Sequence, residues 1–283
     1  MIFDSCGKYI FYDGAMGTML YKFGLQSGEK PDLMNITAPD AVECIHRMYV
    51  EAGSDIVCTN TFGSNALNLE GTGYSPPEVI TAAVEAAKRA CAGIAKVALD
   101  IGPTGRVLEP AGDLEYDKAY EIFKEMAIAG EQAGADFAAI ETMSYIEELK
   151  AAMTAVKENT KLPILATMTF EKSGYTFMGC TPESFVETAE AIGAAAIGLN
   201  CSLEPMEMLA TAERLAKATK LPLIVKPNAG LPDAVSGEYN TGAEEFAAQM
   251  VGFAKLGAKI IGGCCGTTPE YIRELKEKLV SRC

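Results

Sequence analysis

Three cysteines define the chemistry open to this chain. Cys201 closes the phrase Gly198-Leu199-Asn200-Cys201-Ser202, and Cys264 and Cys265 stand side by side in Ile261-Gly262-Gly263-Cys264-Cys265-Gly266-Thr267. Each phrase ends a short apolar run that reads as a buried strand. Thiolates suit zinc, copper(I) or iron–sulfur clusters. Cys201 lies far upstream of the pair, so the spacing is neither that of a local zinc finger nor that of a ferredoxin. Three protein ligands and one exchangeable position are the layout of a catalytic zinc, and such a site would receive a sulfur substrate. Neighbouring side chains on a strand point to opposite faces. The pair can therefore share one ion only where the chain leaves strand geometry, which Gly262, Gly263 and Gly266 permit. A vicinal disulfide, a redox switch and plain packing are the competing readings of the pair. The single histidine, His46, sits inside a helical pattern and is read as a surface or core-edge residue, which leaves a metal to sulfur alone.

Further polar residues stand at the ends of apolar runs: Asp13, Asn60 with Thr61, Asp100, Glu141 with Thr142, Asn200 and Asn228. The segment Asp13-Gly14-Ala15-Met16-Gly17-Thr18 lacks the ending and spacing of a phosphate loop. Its glycines can instead expose backbone N–H groups to a carboxylate, while Asp13 and Glu141 offer opposite charge to an amine. An amino acid needs both contacts. The competing reading is that the two carboxylates merely bond loop backbone.

These residues have to be brought to one place by the fold. Apolar runs occur at 9–13, 55–60, 96–101, 137–141, 163–169, 195–200, 222–226 and 259–263. Most are continuously apolar, as strands covered on both faces are. Between them the apolar spacing is three and four, as in Ala41, Ile45, Met48 and Tyr49. Gly53, Gly134 and Gly257 are placed to end helices just before strands. Thr181-Pro182 and Thr268-Pro269 put a capping hydroxyl before a first-turn proline. Eight strand–helix alternations predict a single (β/α)8 TIM barrel over residues 1–283, with an open doubly wound sheet as the runner-up. The longer stretches 71–77, 102–113 and 229–242 then fall on the C-terminal rim, where barrel active sites are built.

The chain has 283 residues, 49% of them hydrophobic, and a formal charge of −14. So acidic a surface argues against nucleic acid or anionic membrane as a partner. The nine cysteines are odd in number and scattered, and the start Met1-Ile2-Phe3-Asp4-Ser5-Cys6 has no secretory pattern. A reducing, cytoplasmic location is expected, with Cys6, Cys44, Cys58, Cys91 and Cys283 as small core residues.

Taken in order, the phrases Asp13-Gly14-Ala15-Met16-Gly17-Thr18, Thr59-Asn60-Thr61-Phe62, Asp100-Ile101-Gly102-Pro103, Gly198-Leu199-Asn200-Cys201, Lys226-Pro227-Asn228-Ala229-Gly230 and Gly262-Gly263-Cys264-Cys265-Gly266-Thr267 resemble the homocysteine S-methyltransferase family. The likeness runs from one end of the chain to the other and is greatest to the homocysteine-binding barrel of cobalamin-dependent methionine synthases. It implies a barrel with Zn2+ bound by Cys201, Cys264 and Cys265, and L-homocysteine with its sulfur on the ion. Asp13 and Glu141 would lie near the substrate amine, and the backbone around Gly14 and Thr18 near its carboxylate. Asn60 would line the same site. The Asn228 amide oxygen would fill the open zinc position until substrate displaces it. The chain is expected to act as a free-standing barrel or as one subunit of a split system.

A free thiol has a pKa near ~8.5, and the thiolate is the nucleophile. Zinc removes that proton, so methyl transfer to the sulfur needs no separate base. The donor expected from the resemblance is a methyl-corrinoid (methylcobalamin) on a separate protein. S-methylmethionine or betaine as donor, and a catalytically silent zinc- or thiol-binding module, are the alternatives. Acceptors such as selenohomocysteine or coenzyme M stay open.

Overall fold

In the computed structural model, which describes residues 8–233 and 239–281, all eight apolar runs form strands. They are β1 (Ile10–Phe11), β2 (Ile56–Cys58), β3 (Lys96–Ile101), β4 (Phe137–Met143), β5 (Ile164–Met168), β6 (Ala196–Asn200), β7 (Leu223–Lys226) and β8 (Ile260–Ile261). All pairings are parallel, in the order β1-β8-β7-β6-β5-β4-β3-β2. A parallel bridge between Tyr12 and Ile56 joins the two ends, with Asp13 N–H donating to Ile56 O (3.0 Å) and Asp55 N–H to Phe11 O (2.7 Å). Closure settles the choice against an open sheet, and the protein is a (β/α)8 TIM barrel.

The helices are α1 (Met16–Lys22), α2 (Met34–Thr37), α3 (Pro39–Ala52), α4 (Pro76–Cys91), α5 (Tyr116–Gln132), α6 (Ile146–Asn159), α7 (Pro182–Ile192), α8 (Pro205–Ala218), α9 (Ala243–Lys255) and α10 (Pro269–Val280). Gly53, Gly134 and Gly257 take the left-handed conformation at the ends of α3, α5 and α9 (φ 105°, 96° and 90°), which releases each helix into the next strand without a Cβ penalty. Thr181 caps α7 through Ser184 N–H (3.0 Å). Thr268 occupies the equivalent place at α10 but makes no side-chain cap bond, contrary to the expectation from its sequence.

Two apolar layers result. The larger fills the space between strands and helices. The smaller lies inside the barrel and includes Ile10, Tyr12, Ile56, Cys58, Ala98, Ala139, Leu165 and Ile224. Strand periodicity then dictates what comes above it. Two residues beyond Ala98, Ala139, Ala196 and Ile224, on the same inward face, stand Asp100, Glu141, Gly198 and Lys226. The inward row turns from apolar to ionic as it nears the C-terminal mouth.

His46 departs from its expected place. It is wholly buried on α3, and neither ring nitrogen has a partner. Desolvation depresses its pKa to about 4, with Glu43 pulling weakly the other way. The neutral ring is therefore the folded form. The stability this represents is fully present above the unfolded value near ~6.5 and is lost as pH falls towards the folded value, by about 2 kcal/mol between pH 7 and pH 5. His46→Leu should remove that share of the acid loss, read as a flatter dependence of the urea midpoint on pH. Parallel pH profiles for variant and parent would refute this.

Candidate active site

The segment at the end of β7 holds the three cysteines together. β7 lies between β6, which leads to Cys201, and β8, which leads to Cys264 and Cys265. Cys201 N–H donates to Lys226 O (3.0 Å), Cys264 N–H to Pro227 O (2.8 Å), Asn228 N–H to Leu203 O (3.0 Å) and Ala229 N–H to Cys265 O (2.9 Å). One extended stretch thus ties both cysteine turns to itself. Cys201 and Ser202 turn through the left-handed region (φ 61° and 59°), a conformation that costs a non-glycine residue roughly 1–2 kcal/mol. The pair leaves strand geometry as expected. β8 ends at Ile261, Gly266 has φ 82°, and Thr267 closes the turn on Cys264 O through its N–H (3.1 Å) and Oγ1 (2.6 Å). Any Cβ on Gly14 would come within 2.6 Å of Thr267 Oγ1, so glycine there lets the first loop press against the cysteine turn. Thr18 Oγ1 accepts from Gly266 N–H (3.1 Å).

The sulfurs of Cys201, Cys264 and Cys265 all lie within 4.8 Å of one another, and Cys201 Sγ is 3.8 Å from Cys265 Sγ. They are free thiols, too far apart to be bonded. Ligands at about 2.3 Å around a tetrahedral zinc sit about 3.8 Å from one another, so the donor set fits such an ion. Hydrogen bonds from Cys264 lower the Cys201 pKa, but sharing with Cys265 and burial prevail and push it up to about 12. Cys265 is likewise pushed up to about 12, its bond from Cys201 being outweighed by Cys264 and burial. Three crowded thiols stay protonated unless a cation offsets their charge. The Tyr239 ring packs on Gly266, beside the cysteine turn.

Below the thiols is a cavity of about 320 Å³. Asp13, Gly14, Thr18, Asn60 and Glu141 line it together with Cys201, Cys264 and Cys265. Asn228 does not line it, but its buried Oδ1 accepts no hydrogen bond. Asn60 has a local duty: its amide donates to Pro31 O (2.8 Å) and Asn35 Oδ1 (3.2 Å). Asp13 accepts from Cys58 N–H through Oδ2 (2.8 Å) and leaves Oδ1 without a partner. Burial pushes its carboxyl up to about 7, against the pull of Lys226 and the Cys58 N–H. Asn200 is buried beside them and is bonded to Thr142 and Thr167, reaching Glu141 Oε1 (3.5 Å) and Cys264 Sγ (3.8 Å).

Sequence reasoning gave no place in the site to Cys58 or Lys226, and named Asp100 at a strand end without giving it a role. Cys58, read as a core residue, lines the cavity. Asp100 lines it too, with Oδ1 buried and unpartnered, and burial and Glu141 raise its pKa well above the usual range. Lys226 is 4% exposed and reaches Glu141 Oε2 (2.5 Å) and Cys58 Sγ (3.9 Å), with its Nζ 4.3 Å from the centre of the Tyr12 ring. Counting inward positions two by two along each strand would have found all three. Of the remaining cysteines, Cys44 is exposed, contrary to the core reading, and Cys91 is buried as expected. Cys6 and Cys283 lie outside the described residues. Cys58, Asp100 and Glu141 form a second group with metal-ligand character, but the Lys226 ammonium already lies against two of its members.

Known proteins share this architecture. The E. coli homocysteine methyltransferase MmuM in its metallated form superposes with a TM-score of 0.84 at 23% identity, over 96% of this chain and 97% of that one. Methionine synthases of Mycobacterium leprae (strain TN) and Mycobacterium tuberculosis (strain ATCC 25618 / H37Rv) are each 34% identical, over 96% and 93% of this chain. The chain spans about a quarter (24%) of the length of these two relatives. A family model described as homocysteine S-methyltransferase matches residues 10–279, and with that match, over a barrel whose mouth gathers three thiols above buried carboxylates, the chain belongs to the homocysteine S-methyltransferase family.

Proposed function

We propose that this barrel, as a single substrate-binding domain, moves a methyl group to the sulfur of L-homocysteine to give methionine. The observation that carries the reading is the set of three sulfurs within 4.8 Å of one another above a cavity floored by carboxylates. Cys201, Cys264 and Cys265 would hold Zn2+, whose charge keeps a substrate sulfur deprotonated at neutral pH. Asp13 and Glu141 would face the substrate ammonium from below. The carboxylate would rest on backbone N–H groups between Gly14 and Thr18. There the Ala15 N–H is already spent on Thr267 O (3.0 Å), while the first-turn donors of α1 have no partner within the helix. Asn228, with its idle buried oxygen, is the candidate for the fourth ligand before substrate arrives. The substrate sulfur then forms its bond to the methyl carbon as that carbon parts from the donor.

For the donor we favour a methyl-corrinoid carried by a separate protein. Betaine and S-methylmethionine are small cations, and aromatic cages suit such groups. Among the described residues a single aromatic ring, that of Phe62, lines the cavity. The rim around the mouth, in contrast, exposes Phe62, Tyr175, Phe177, Met206 and Leu231, an apolar border suited to a large partner. The likeness to methionine synthases points the same way.

The test is methionine formation by zinc-loaded protein, followed by mass spectrometry. Methylcobalamin with homocysteine should yield product, and betaine or S-methylmethionine should yield little. Efficient turnover with either small cation would overturn the donor. Failure of homocysteine to change the sulfur count at the zinc absorption edge would overturn the acceptor.

A further inference from the structure

Glu141 is held asymmetrically. Its Oε2 lies 2.5 Å from Lys226 Nζ, while Oε1 has only a long contact to Asn200 Nδ2 (3.5 Å), and the residue lines the cavity. Lys226 is the last residue of β7, points into the barrel and borders the floor of the cavity, with its ammonium against the Tyr12 ring and Cys58. Its backbone carbonyl is bonded to Cys201 N–H (3.0 Å), which ties the main chain at Lys226 to the sulfur site. Asp13 and Asp100 each leave a buried oxygen unpartnered beside the same cavity. One fixed cation therefore stands among three carboxylates and clamps one of them by a single oxygen.

We propose that Lys226 is a positioning residue that pins Glu141 Oε2 and so presents Oε1 to the ammonium of an amino-acid thiol, giving the pocket its selectivity for thiols that carry an α-amino group. This rests on the placement of the substrate amine near Glu141 given above. Lys226 also borders the cavity, but its ammonium is spent on Glu141 Oε2 and packed against Tyr12 and Cys58, so its effect is assigned through Glu141. A free carboxylate could rotate and turn both oxygens towards water, and a hydrogen bond at one oxygen removes that freedom. Tyr12 and Cys58 fix the ammonium itself, so the clamp is rigid from below.

The test compares L-homocysteine with 4-mercaptobutyrate, which keeps the thiol and carboxylate but lacks the amine. Binding of each to zinc-loaded protein is measured by calorimetry, and the ratio of the two dissociation constants is the readout. Parent protein should favour homocysteine. Lys226→Gln should weaken homocysteine by about tenfold, roughly what losing one well-placed charge contact costs, and leave 4-mercaptobutyrate within about twofold. Loss of packing alone would weaken both ligands together and leave the ratio unchanged, and that result overturns the proposal. Glu141→Gln tests the underlying reading separately: if it leaves the ratio intact, the amine lies elsewhere. The double variant Glu141→Gln/Lys226→Met leaves no buried ammonium stripped of its Glu141 partner, so it decides the matter even if Lys226→Gln does not fold. Once Glu141 is neutral, removing the lysine should change the ratio no further. A further change there would show Lys226 acting by another route and overturn the proposal.

Discussion

Cys265→Ser should lose metal and methyl transfer together. The serine hydroxyl is a hard, protonated donor at neutral pH, whereas the site's fit to zinc rests on three thiolates at tetrahedral separation. Disturbing groups that only support metal ligands commonly lowers affinity or activity by 10–100-fold, so loss of a ligand should exceed about 100-fold in both. The fold should survive, because the Cys264–Cys265 turn is held by Thr267 and by the backbone at Pro227 and Ala229 rather than by the sulfur. Metal analysis after dialysis, alongside a methyl-transfer assay and circular dichroism, checks all three points. A folded variant that keeps its metal and turns over fully would remove Cys265 from the ligand set.

Glu141→Ala should be the most destabilising single change at the floor of the site. It strips Lys226 of a partner at 2.5 Å in a place where the ammonium is 4% exposed. Burial works against the lysine charge, and Cys58, Glu141, Tyr12 and Asp13 together hold its pKa well above the usual range. Removing one partner of a buried pair generally costs about 3–5 kcal/mol, while replacing both by apolar groups is often neutral. The expected loss is about 3 kcal/mol, with Asp13 and Asp100 moderating it. Glu141→Ala/Lys226→Met should recover most of this, which would separate the stray charge from any cavity effect. Urea midpoints of the three proteins provide the comparison. A single variant within about 0.5 kcal/mol of the parent would mean that the two aspartates satisfy the lysine unaided.

The strands were legible because a parallel barrel strand is covered on both faces and reads as an unbroken apolar run. Runs such as 96–101 and 195–200 therefore stood out, and eight of them in alternation left few architectures to choose from. The thiols were legible for a related reason: residues just past strand ends share one rim in a barrel. Less visible was the layer one step inside that rim. Lys226 sits at the end of an apolar run and looks like a strand boundary, and Cys58 looks like a small core residue. Their chemistry comes from facing each other across the barrel, 168 residues apart in sequence. His46 was misplaced because α3 is covered on a wider face than its apolar spacing implied, and the ring is buried without a partner.

By itself, the order of residue types determined the architecture, the rim on which Cys201, Cys264 and Cys265 would meet, and the soft-ligand character of that rim. These follow from local periodicity and from which side chains end each run, and both are properties of short segments. Tertiary structure alone decided that the stretch from Lys226 to Ala229 ties both cysteine turns together, that Cys201 adopts a left-handed turn, and that a buried lysine clamps Glu141. Those features depend on barrel closure, which sets distant strands at a fixed stagger. No short-range pattern encodes the distance between side chains that meet only across a closed sheet.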